Sequence, residues 1–80
     1  MPTIIREYGY RFFFYSNEGS EPPHIHVSGN GGEMKVWIPS LQVASVYNLG
    51  AKEQKKIMSV VRKQQDFILE KWDEFASRKH

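Results

Sequence analysis

Two histidines one residue apart stand in the run Glu21-Pro22-Pro23-His24-Ile25-His26-Val27. On a strand, positions i and i+2 point to the same side, with Cα atoms roughly 6.5–7 Å apart. That spacing suits two ligands of one metal, or a base and an acid on either side of one substrate. Histidine titrates near neutrality, so a neutral and a protonated ring can coexist in one site. Pro22 and Pro23 fix the backbone before the strand and so hold His24 in place. The same pair also reads as two surface histidines on a wet sheet face. A metal would need further ligands; Glu21 and Glu33 are the near candidates, and their spacing is not diagnostic. No metal and no cofactor is therefore expected.

The elements that must position these histidines follow from the hydrophobic pattern. Up to residue 48 the chain has short aromatic and β-branched runs broken by Gly, Pro and Asn; from residue 51 it lacks both Gly and Pro. The first part reads as strands and the second as helix. Strand runs occupy 3–7, 10–15, 24–28, 33–38 and 41–47, and Asn30-Gly31 is a strong hairpin signal. With that dipeptide at the turn, Val27 faces Met34 and Ile25 faces Val36. On the other side Ser28 meets Glu33, His26 meets Lys35 and His24 meets Trp37. All apolar positions then share one face, as a half-buried strand pair requires.

In the second part, Ile57, Val60, Val61, Gln64, Phe67, Ile68, Trp72 and Phe75 share one arc at about 100° per residue. Met58, Leu69 and Ala76 widen it to roughly 200°, against the ~100° needed to dock on one surface. Gly50 serves as N-cap and Glu53 sits where a carboxylate is favoured. A helix over 50–78 would be roughly 40 Å long. Either it breaks near Gln64-Gln65-Asp66, or its end packs on a second copy; the wide arc points to the second copy. The expected fold is α+β: an antiparallel sheet of four to five strands over 1–48, with one long C-terminal helix packed on one face. The whole chain, 1–80, reads as one domain, and a homodimer is expected.

Other residues could serve the histidines. The hairpin register sets Lys35 and Trp37 beside them. The first hairpin carries Arg6 and Arg11 with Tyr8, Tyr10, Phe12, Phe13, Phe14 and Tyr15. Phe12 and Phe14 point one way, Phe13 and Tyr15 the other, and one helix can cover only one face. The uncovered aromatics read either as dimer core or as a stacking surface for bases, with Arg and Lys for phosphates. Arg6, Tyr8, Arg11, Lys35 and Trp37 are the candidate binding residues, and His24 and His26 the candidate catalytic pair.

Charge along the helix is ordered against its dipole. Lys52, Lys55, Lys56, Arg62 and Lys63 come first; Asp66, Glu70, Asp73 and Glu74 follow. This pattern reads as a solvated face, or as a surface for an acidic partner protein or RNA.

Composition bounds the rest. Eighty residues with no cysteine exclude disulfides and cysteine-ligated zinc. Hydrophobic residues at 40% and charged residues at 25% are ordinary for a globular chain, and a net charge of +2 is too mild to imply nucleic acid by itself. No run approaches the roughly 20 apolar residues of a membrane helix, and no signal peptide opens the chain, so a cytoplasmic location is expected. Phosphate-loop, nucleophile-elbow and dinucleotide fingerprints are absent.

Pro2-Thr3-Ile4, the Tyr8-Gly9 step, the Pro22-Pro23-His24-Ile25-His26-Val27 core and a C-terminal helix with Trp72 together resemble the domain-of-unknown-function family 4160. These are small bacterial proteins with a Pro-Pro-His-x-His signature, which maps here onto Pro22, Pro23, His24 and His26. Members often lie beside another small gene, a layout resembling toxin–antitoxin pairs. The resemblance implies a cognate small protein partner and RNA as a target. Three functions follow as expectations. One is a metal-independent ribonuclease-type toxin, with His24 and His26 as base and acid, Lys35 and Arg11 on phosphate, and Trp37 on a base. Another is a non-catalytic interaction or regulatory module. The third is a metal-binding regulator.

Overall fold

The structure, a computed structural model, describes residues 3–14, 22–38 and 40–77. Five strands come first: β1 (Thr3–Glu7), β2 (Tyr10–Phe13), β3 (His24–Gly29), β4 (Gly32–Trp37) and β5 (Val43–Tyr47). They form one antiparallel sheet in chain order, β1-β2-β3-β4-β5. Tyr8 and Gly9 join β1 to β2, and Asn30 and Gly31 join β3 to β4; all four have positive φ, as two-residue type I′ turns require. The β3–β4 register is the one the alternation dictates: His24↔Trp37, Ile25↔Val36, His26↔Lys35, Val27↔Met34 and Ser28↔Glu33.

The sheet therefore has one apolar face. Phe12, Ile25, Val27, Met34 and Val36 are each at most 2% exposed and meet Ile57, Val60, Val61, Ile68 and Trp72 from the helices. The chain leaves β5 through Asn48, whose side-chain amide donates to the Gly31 carbonyl (3.0 Å). It passes so close to β4 that a Cβ on Gly32 would lie 2.6 Å from the Asn48 carbonyl oxygen.

The helical part departs from the single long helix expected. It is two helices, α1 (Ala51–Lys63) and α2 (Gln65–Ser77). At the junction, Gln64 has φ −106° and ψ 14°, the bridge region rather than the helical one. Its N–H still donates to Val60 O, and its carbonyl accepts from Ile68 N–H (both 2.9 Å). The chain thus bends without unravelling. The physical reason is the wide apolar arc: a straight rod lays only a narrow stripe on a twisted sheet. Bent at Gln64, α1 covers the sheet while α2 turns Ile68 and Trp72 onto its far end. The break meets the length problem within one chain, so helix length no longer argues for a second copy.

One further position differs from the arc reading. Phe67 is 39% exposed, with Lys71 Nζ 5.5 Å from its ring centroid; on the bent path it lies at the flank. The Ala76 side chain lies outside the described residues, as do residues 15–21 and Pro39. The strand drawn over 41–47 begins at Val43. Leu41, at positive φ, turns back and donates its N–H to Trp37 O (2.9 Å). The break also separates charge: α1 carries Lys52, Lys55, Lys56, Arg62 and Lys63 against Glu53, whereas α2 carries Asp66, Glu70, Asp73 and Glu74 against Lys71.

Candidate functional site

Alternation across the meander builds two rows on the face away from the helices. One row is Arg6, Arg11, Ser28, Glu33 and Tyr47, each paired in register with the next; the other is Thr3, Phe13, His26, Lys35 and Ser45. Neighbouring strands lie about 4.8 Å apart, so each row crosses roughly 20 Å. The open face is thus polar and cationic where the covered face is apolar.

Two of its cations rest on aromatic rings. Arg11 Cζ lies 4.7 Å from the Phe13 ring centroid, and Lys35 Nζ lies 4.6 Å from that of Trp37. His26, half-buried, stacks on Phe13 with centroids 5.8 Å apart and planes 26° off parallel. Phe13 is only 4% exposed: Arg11 and His26 of its own chain lie on it, so no second copy is required to bury it. A shallow hollow of about 100 Å³ beside His26 is lined by Phe13, Glu33, Lys35, Ser45 and Tyr47 among others. Cations held over rings are partly ordered before any ligand arrives, which lowers the entropy cost of using them.

The two histidines are close but not alike. Their ring centroids are 5.0 Å apart with planes 82° apart. His24 has no exposed surface, whereas His26 reaches solvent. Past the end of β2, the His24 ring is enclosed by Trp37 (5.5 Å) and by Trp72 of α2 (5.0 Å). Trp72 in turn meets Phe14 edge-on at 5.1 Å, and Phe75 lies 5.4 Å from Phe14. His24 Nδ1 lies 2.8 Å from the Pro22 carbonyl oxygen; a carbonyl only accepts, so Nδ1 carries the proton and donates. The Pro23 carbonyl accepts the Ile38 N–H (2.9 Å). The Pro-Pro-His run therefore ties the sheet end to itself and to the strand opposite. Trp72 as the lid over His24 was not singled out from sequence; its i, i+4 spacing from Ile68 is the signal that was available.

The structure brings Arg6, Arg11, His26, Lys35 and Trp37 onto one face. Tyr8 is elsewhere: at the β1–β2 turn, 60% exposed, it packs against α1, with Lys56 Nζ 5.5 Å from its ring centroid. Tyr15 and Glu21 lie outside the described residues. Among the described residues no three His, Asp or Glu side chains converge as a metal site would need. No helix among them is long and apolar enough to cross a membrane.

A five-stranded antiparallel meander with both helices on one face and a cation–aromatic ladder on the other defines a small α+β protein with an open, cationic sheet face. The model of the domain of unknown function DUF4160 matches residues 9–73, and the chain belongs to that family. No curated protein and no solved structure matches it.

Proposed function

We propose that this chain is the nucleic-acid-binding member of a toxin–antitoxin-like pair, with single-stranded RNA as ligand across the open face. One observation carries the reading: Arg11 and Lys35 lie over the rings of Phe13 and Trp37, on either side of a solvent-reaching His26. Released from the rings, the two cations meet phosphates, and the half-buried Trp37 becomes available to a base. Arg6, paired with Arg11, extends the cationic row to the sheet edge.

The enzymatic form of this proposal is a metal-independent ribonuclease with His24 and His26 as base and acid. It requires both rings on the substrate, and His24 has no exposed surface. A general base must come within hydrogen-bond reach of the proton it takes. The geometry therefore supports binding with one histidine better than cleavage with two, and gives His24 a positioning role at the sheet end. A non-catalytic module that binds a cognate protein or a second copy is the other reading, favoured by the uncovered strand β5.

The test is binding of a labelled single-stranded RNA oligonucleotide over a salt series, with recovery of intact RNA. Affinity should fall with salt, and Lys35→Ala should reduce the log–log slope by about 1. The RNA should be recovered whole. No binding at low salt sinks the RNA reading. Cleavage that survives chelator and is lost in His24→Ala makes the chain the ribonuclease instead.

A further inference from the structure

The helical layer carries a charge pattern that the single chain leaves unused. At the bend, the Gln64 N–H still donates to Val60 O and its carbonyl accepts from Ile68 N–H, so α1 and α2 stay nearly in phase. At about 100° per residue, Lys55, Met58, Arg62, Asp66, Leu69 and Asp73 then fall on one stripe, on the outer side of the helices. Its four charged residues are exposed, and Met58 and Leu69 are half-buried. The stripe is basic before the bend and acidic after it. Among the described residues none of its four charges makes an ion pair, although Arg62 and Asp66 stand four apart. The ion pair formed in α2, Lys71 with Glu74 at 3.6 Å, lies on another flank.

The order along the stripe is self-complementary. Read outward from Gln64 it runs charge, apolar, charge in both directions, with the sign reversed: Arg62, Met58, Lys55 one way and Asp66, Leu69, Asp73 the other. Arg62 and Asp66 each lie two positions from Gln64, and Lys55 and Asp73 each lie nine. An antiparallel copy centred on the same residue therefore sets Arg62 opposite Asp66 and Lys55 opposite Asp73. A twofold axis repeats each pair and keeps Met58 and Leu69 on the same side of the contact, where they meet. The receiving surface on α1 is a ledge of about 390 Å³, lined by Ala51, Gln54, Lys55, Met58 and Arg62. A polyanion or a uniformly acidic protein fits only the α1 half, because the same stripe sets Asp66 and Asp73 against it.

We infer that the chain forms a twofold homodimer through its helical layer, with α1 of one copy antiparallel to α2 of the other. Four ion pairs close across the contact, two on each side of the axis, around the Met58 and Leu69 side chains of both copies. Charge complementarity selects a second copy as the occupant, because the chain itself carries the matching half of the stripe at the matching spacing. Both sheets lie on the outside of this dimer, so their open faces stay accessible. RNA binding is not required for it.

The test is sedimentation equilibrium on the full chain and two variants of it, without RNA. Lys55→Glu/Arg62→Glu makes the stripe wholly acidic, and Asp66→Lys/Asp73→Lys makes it wholly basic. All four positions are exposed, so both variants should keep the fold. Wild type should be a dimer at about 1 mM chain and weaken as salt rises. Each variant alone should have a dimer dissociation constant at least about tenfold higher, whereas an equimolar mixture should form a one-to-one heterodimer about as tight as wild type. In wild type, dilution should shift the methyl signals of Met58 and Leu69, a readout that needs no variant. A wild type that is monomeric at that concentration overturns the inference. So does a dimer that both variants keep, a mixture that stays as dissociated as its components, or dilution shifts confined to β5. RNA binding by a monomeric wild type ends the dimer and leaves the RNA reading standing; a heterodimer that binds no RNA does the reverse.

Discussion

The two faces of the sheet are made from the same strands but do opposite work. On the helix side, side chains disappear from solvent: Phe12, Ile25, Val36, Ile57 and Val61 are wholly buried. Their stabilisation is area removed from water, about 25 cal/mol per Å². On the open side, Arg11, His26 and Lys35 keep contact with solvent and lie against rings, the cation contacts of Arg11 and Lys35 each worth about 0.5–1 kcal/mol at an exposed site. Substitutions on the first face should therefore read out as stability, and on the second as binding. His24 is the residue where the division fails: alternation assigns it to the open face, and α2 buries it.

The largest expected effect lies where α2 crosses the sheet end. Trp72→Ala removes the ring that meets Phe14, Phe75 and His24 together. It should cost about 3–5 kcal/mol in denaturant unfolding, the range for a large aromatic deleted from a core. Loss of under about 1 kcal/mol would mean that α2 does not pack on the sheet as described.

Next comes the histidine pair, the sharpest probe of the division between faces. His24→Ala deletes a fully buried ring and its bond to the Pro22 carbonyl, and should destabilise by about 2–4 kcal/mol. His26→Ala should cost about 1 kcal/mol or less in stability while weakening RNA binding. Equal stability losses would erase the distinction between the two. A folded His24→Ala that loses RNA affinity while His26→Ala keeps it would reverse it.

How much of this was legible in sequence depends on whether a feature is set locally. The β3–β4 register follows from Asn30-Gly31 and from alternation, both read within fourteen positions, 24–37. The cluster of His26, Lys35 and Trp37 was legible for the same reason. The burial of His24 was not, because it depends on where Trp72 arrives, 48 positions later, after a bend. The bend was legible only as one of two solutions to an over-wide, over-long helix. The Gln64-Gln65-Asp66 run marked the place, but choosing between a bend and a second copy needs the length and twist of the sheet. Phe67 shows the cost of reading a helix as a straight cylinder: the arc included it, and the bent path leaves it on the flank.

Lys35→Ala should separate the faces in the opposite sense from Trp72→Ala. Stability should change by about 1 kcal/mol or less, since Lys35 is partly exposed and its contact with the Trp37 ring is of the weak, solvated kind. RNA affinity should fall, and fall more at low salt than at high. If Lys35→Ala unfolds the chain and leaves affinity per folded molecule unchanged, the ladder is structural and the open face loses its assignment.

The smallest effect tests the seam at the start of α1. Glu53 accepts the Gly50 N–H through one carboxylate oxygen and the Tyr10 hydroxyl through the other, both at 3.1 Å. Glu53→Gln keeps the shape and one acceptor, and its amide can donate to the Tyr10 oxygen. What it loses is negative charge beside the helix N-terminus, worth about 0.3–1 kcal/mol. Glu53→Ala also loses both hydrogen bonds and should cost about 1 kcal/mol more than Gln. Glu53 lies on the helix side, so its Gln and Ala variants should both bind RNA like wild type per folded molecule. Gln and Ala variants of equal stability would place the whole contribution of Glu53 in its charge. The Tyr10 contact would then add nothing to how α1 is seated on β2.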